Sequence, residues 1–130
     1  MALAFLHTRV SDWQEKLDMG ISTYFEWMAA HPEVAVSTVV EVHSAGRRAL
    51  EARDHALRDW IRTLEGVAVL ARRSGAEVRV DDTAYLAIVL TAEAHVHDYA
   101  RRGRVEHVTE RSADVVALAR SLFNCGVVSA

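Results

Sequence analysis

The hydrophobic positions of this chain recur at helical spacing over nearly its whole length. Leu17, Ile21, Tyr24, Phe25 and Met28 share one face of a helix predicted over 12–30, with Trp13 and Trp27 flanking the stripe. Ser11 suits its N-cap, and Gln14, three residues on, suits a capping box. The chain's only proline, Pro32, then marks a break. It fits the first position of a new helix, where its missing N–H costs nothing, and Glu33 complements the positive helix end. Val34, Val36, Val39, Val40 and Val42 crowd the residues that follow on most sides, which predicts a helix in the middle of the domain. The same β-branched run would suit a strand; the proline start and the helical neighbours decide for helix, and Gly46 suits its end.

A long third helix is predicted over 47–74, with Leu50, Leu57, Ile61, Leu64, Ala68 and Ala71 as its stripe and Trp60 beside it. Gly75 ends it. Residues 76–80 alternate, with Val78 and Val80 on one side, but the run is too short for a sheet and reads as an extended connection. Asp81 or Asp82 caps a fourth helix reaching 102, Gly103 breaks the chain, and a fifth helix covers 105–124 with Val108, Val115, Ala119 and Leu122 as its stripe. Residues 1–10 fit the tail of a helix begun upstream. Connections this short imply antiparallel neighbours. The expected fold is all-α, an antiparallel bundle of about five helices in a single domain spanning 1–130.

Composition narrows the function more than it names it. With 51% hydrophobic and 25% charged residues, the chain is that of a folded domain. The net charge is −3, and the arginines fall in dispersed pairs (Arg47 and Arg48, Arg72 and Arg73, Arg101 and Arg102) rather than on one basic face. That makes a poor phosphate grip, so DNA binding by this chain alone is not expected. Cys125 is the only cysteine, which excludes an intrachain disulfide and reads as an incidental thiol. The start lacks a basic n-region, and the longest apolar run, 84–90, is far short of the roughly 18 residues a membrane span needs. A cytoplasmic location is the expectation.

The helix order resembles the C-terminal regulatory domain of the TetR family of transcriptional repressors. The resemblance is carried by YFEWMAAHPEVA, by EVHSAGRRALEARDHALRDWIRTL, by RRSGAEVRVDDTAYLAIVLTAEAHVHDYARRG and by the terminal ALARSLF, together covering 11–123. It implies a bacterial regulatory domain that binds a small, largely apolar effector among its helices. It also implies a homodimer through the last two helices, within 82–124. The family's N-terminal helix-turn-helix domain has no counterpart in these residues, so contact with DNA is expected only through such a domain outside this chain. Neither enzymatic activity nor a cofactor is expected.

Within that frame, the candidate ligand contacts are few. His43 follows valines on the helix expected to be central, and a buried imidazole there needs a partner. It is either a core histidine bonded to a neighbour or a polar anchor in a pocket. Glu93 and His97 stand four apart and face the same way as Leu86, Val89 and Leu90, placing polar groups on an apolar stripe. They are either ligand contacts or a satisfied pair at an interface. Trp27, Met28 and Trp60 are either plain core, the commoner fate of such residues, or the lining of an apolar cavity, which Val39, Leu64 and Val89 would complete.

Two other classes compete. One is a small metal protein or enzyme using Glu93, His97, His43 and Glu41. Carboxylate–imidazole pairs at helical spacing (Glu93 with His97, Glu51 with His55) supply half of a metal site. No HExxH or cysteine cluster supports it, and His95 and His97, two apart on a helix, cannot share an ion. The other is a helical module that only pairs with a second chain.

Overall fold

The computed structural model describes residues 12–125, and Ser11 with the helical tail expected over 1–10 lies outside them, as does the Cys125 side chain. Helix α1 runs Trp13–Ala30 and α2 is a single turn, Pro32–Ala35; α3 runs Arg47–Arg73, α4 Asp82–Arg101 and α5 Ser112–Cys125. No strand forms among the described residues, and the chain is an all-α helical bundle. Asp12 is the N-cap of α1, its carboxylate accepting from the Gln14 amide at 2.9 Å. Asp81 does the same for α4, accepting from the Ala84 amide at 2.8 Å.

The core lies where α1, α4 and α5 meet. Leu17, Ile21 and Phe25 come from α1, Ile88 and Val96 from α4, and Val115, Ala119 and Phe123 from α5, all buried. Val67, Ala68 and Ala71 bring in the C-terminal half of α3. Its N-terminal half is largely exposed. The connection after α3 is extended as expected, pinned by the Arg79 amide donating to the Phe123 carbonyl at 2.9 Å with Val80 buried beneath.

The helix expected over 32–46 does not form as one piece. After α2, residues Val36–Val40 wind as a π-helix and Val42–Ser44 as a 3₁₀ turn. The hydroxyls of Thr38 and Ser37 both donate to the Val34 carbonyl, at 2.7 and 3.2 Å. They compete there with the helical ladder, and the β-branched run gives the α-helix little χ1 freedom. The Glu41 amide then reaches back five residues to Val36 at 3.0 Å. Gly46 turns the chain into α3 at φ 96°, ψ −179°, backbone that is essentially confined to glycine.

The fifth helix is also divided. Val105–Arg111 is 3₁₀ before α5 begins. That geometry eclipses residues three apart, so Val105 and Val108 point inward together, and both are buried. Of the stripe Val108, Val115, Ala119 and Leu122, the first three are buried in the chain's own core and Leu122 packs against it half-buried. The large apolar residues that α4 leaves in solvent are Leu86 and Leu90, 42% and 38% exposed.

Candidate functional site

Between α1, the irregular segment 36–45, α3 and α4 the chain leaves a cavity of about 560 Å³. Its origin is legible residue by residue. Ala49, Ala52 and Ala56 repeat at helical spacing along the near side of α3, and Ala45 stands just before the helix, so that wall has almost no side-chain volume. Gly20 and Ala92 thin the opposite walls on α1 and α4. Larger apolar groups then ring the space: Ile21, Met28 and Trp27 from α1, Leu57, Trp60 and Leu64 from α3, Ile88 and Val89 from α4. Val39 and Val42 descend from the π-helical side and Val115 closes the floor. The lining residues exposed to solvent are Ser37, Thr38, Ala45, Ala52 and Ala56, so the opening lies between the irregular segment and the first half of α3.

Aromatic rings are held in fixed positions around it. Tyr24 meets Trp60 edge to face at 5.4 Å between centroids. Trp27 stacks on His31 at 4.2 Å, and His31 Nδ1 lies 2.8 Å from the Trp27 carbonyl, so the residue ending α1 fixes both ring and backbone of Trp27.

One polar group crosses the apolar wall. Arg53 on α3 donates from Nε to Glu93 Oε2 at 3.1 Å and from Nη2 to Glu93 Oε1 at 2.5 Å, a bidentate pair to α4. Both side chains are less than one-fifth exposed. The remaining Arg53 nitrogen, Nη1, lies 3.6 Å from Asp54. The hydrogen bond to Glu93 raises the Arg53 pKa further, so the guanidinium stays charged. The Tyr24 phenol is pushed well above its ordinary range, first by burial, then by the Glu93 carboxylate, with Arg53 partly offsetting them. It is therefore neutral at physiological pH, and its hydroxyl makes no hydrogen bond to a described residue.

That shift has a consequence for stability. Above 10.0, the ordinary value of a tyrosine phenol, the unfolded phenol loses its proton while the folded one keeps it. The folded state then binds more protons, so stability falls with rising pH. Tyr85, also raised by burial, acts in the same direction. Urea midpoints are expected to drop as pH passes about 10, and the drop is expected to be smaller in Tyr24→Phe. Equal alkaline slopes in the two proteins would sink the assignment.

Of the nine residues singled out from sequence, Trp27, Met28, Val39, Trp60, Leu64, Val89 and Glu93 line the cavity. His43 does not. It sits exposed on the 3₁₀ turn Val42–Ser44, because the π-helical winding rotates it out of the register an α-helix would have given. His97, half-buried one turn beyond Glu93, does not line it either. The face expected to carry Leu86, Val89, Leu90 and Glu93 together divides: Val89 and Glu93 turn inward, Leu86 and Leu90 outward. Sequence reading missed Arg53, Tyr24 as a polar contact, and the alanine wall. The alanine repeat at 49, 52 and 56 was the signal for the wall; no local pattern marked the Arg53–Glu93 pairing or the Tyr24 hydroxyl.

The groups offered for a metal site do not converge. Among the described residues no three of His, Cys, Asp or Glu are grouped to hold an ion. Both Glu93 oxygens are taken by Arg53, Glu51 pairs with Arg47 at 3.7 Å and His55 with Asp59 at 3.7 Å, these last on the surface. A second, polar hollow near Tyr99 is tied together internally: the Tyr99 hydroxyl donates to Glu110 at 2.9 Å and accepts from Arg111 at 3.0 Å, holding α4 to the 3₁₀ stretch. No described helix is long and apolar enough to cross a membrane. Searches find no matching protein-family model, curated protein or solved structure.

Proposed function

We propose that this chain is a non-enzymatic, ligand-binding regulatory domain of the kind the TetR resemblance implies, sensing a small and largely apolar effector and acting as a homodimer. The cavity carries this reading. It is of ligand size, it is walled by four helical segments, and its rim is built from small side chains where a packed core would place large ones. Protein interiors ordinarily close such space. Nothing lining it forms a nucleophile–base pair, so binding rather than turnover is the chemistry it supports. Leu86 and Leu90 on α4 are the residues through which a second copy would pack, an isologous contact within 82–124.

Two measurements test the two halves of this proposal. An apolar fluorescent reporter, phenylnaphthylamine, is expected to bind with enhanced emission and to raise the melting temperature. Light scattering is expected to give twice the chain mass, and Leu86→Arg to return it to the monomer. Absence of reporter binding would overturn the sensor reading, and a monomer at micromolar concentration the dimer.

A further inference from the structure

The polar groups of the cavity are arranged so as to leave it without usable charge. Glu93 has both oxygens engaged by Arg53, and Arg53 has its third nitrogen facing Asp54. An incoming carboxylate would compete with two carboxylates already in place. An incoming ammonium would meet a Glu93 already neutralised by a guanidinium less than one-fifth exposed. Either ligand would also lose its own hydration to a wall that is almost entirely carbon, which is costly for a charge without a partner. The polar groups with no described partner are the Tyr24 hydroxyl and the indole N–H groups of Trp27 and Trp60. All of them donate, and only the hydroxyl can also accept. Ser37 and Thr38 at the rim already donate to the Val34 carbonyl.

We propose that the ligand of this cavity is an uncharged, largely apolar molecule bearing a hydrogen-bond acceptor, a ketone, ester or ether oxygen, that takes the Tyr24 O–H. This rests on the ligand-binding reading above and adds the chemical class to it. The Arg53–Glu93 pair is then a positioning device. It joins α3 to α4 across the cavity, keeps net charge out, and places a carboxylate beside Tyr24 that favours the protonated, donating phenol.

The test is displacement of bound phenylnaphthylamine near neutral pH by chains of similar length: methyl nonyl ketone, decanoate and decylamine, with hexylbenzene as the acceptor-free control. The ketone is expected to compete at least about tenfold better than either charged chain. Tyr24→Phe is expected to weaken the ketone about tenfold and leave hexylbenzene within about twofold. Glu93→Gln leaves Arg53 without its bidentate partner, and decanoate is expected to gain at least about tenfold over its binding to the unaltered chain. Hexylbenzene binding in each variant reports that the cavity is still formed. Charged chains matching the ketone on the unaltered protein would overturn the ligand class while leaving the cavity as a binding site. So would Tyr24→Phe weakening ketone and hexylbenzene alike. A reporter that fails to bind at all would overturn the ligand-binding reading itself.

Discussion

Ala56→Phe is expected to cost this protein most of its ligand affinity and none of its stability. Ala56 stands on the α3 wall of the cavity, between Arg53 and Trp60 in helical register, and is exposed at the opening. A phenyl ring placed there has open space to enter, so the overpacking penalty of a filled core does not apply. It would deny a ligand roughly 100 Å² of apolar contact, about 2.5 kcal/mol at ~25 cal/mol/Å², or roughly 50-fold in affinity. Ala92→Phe approaches the same space from α4, where Ala92 is buried, and is expected to block binding similarly. Reporter titration and thermal melting, run together, check this. Binding lost with the melting temperature held or raised is the expected result. Undiminished binding in both variants would place the ligand elsewhere. A fall in stability from both would mean the space is closed in solution.

Much of this site was legible because helical periodicity is a local property. The stripe of α1, an aspartate cap for α4 at 81 or 82, and the candidacy of Trp27 and Trp60 as core or cavity lining follow from local pattern alone. So does Glu93 on an apolar face. What escaped depended on competition between local and longer-range terms. The run Val34–Val42 is apolar enough for a central helix, yet Thr38 and Ser37 take the Val34 carbonyl and the ladder slips to π-helical spacing. That slip removes His43 from the interior. Leu86 and Leu90 look equivalent to Val89 in sequence; only the position of α3 and α1 around α4 decides which side is inside. Arg53 is a further case. Nothing in a single sequence says that an arginine among alanines will reach forty residues along the chain to a glutamate on the next helix.

Phe123→Ala is expected to be among the most destabilising single changes available to the fold. The ring is fully buried on α5. It stacks on Trp13 of α1 at 5.7 Å and 14°, and meets Tyr85 of α4 edge to face at 6.2 Å and 77°. One side chain thus joins three helices, and the same residue's carbonyl receives the Arg79 amide that holds the α3–α4 connection. Truncation leaves a cavity between helices that cannot all collapse onto it, costing about 3–5 kcal/mol, of which each aromatic pair accounts for roughly 0.5–1.5. For a domain of this size that is a fall of about 10–20 °C in melting temperature. Arg120→Ala, on the same helix, is the contrast. Its partner Asp18 also links α5 to α1, but the pair is only half-buried and open to solvent screening, and little change in midpoint is expected. Urea unfolding of both variants, read as midpoint shifts at constant slope, separates ring packing from ion pairing. A loss below about 1 kcal/mol for Phe123→Ala would mean that α5 is not docked on α1 and α4 through this ring. Ligand adds a second readout. Phe123 does not line the cavity, so saturating reporter is expected to stabilise the variant and the unaltered chain equally. Unequal stabilisation would tie the α5 core to the binding site, through Val115 on the cavity floor.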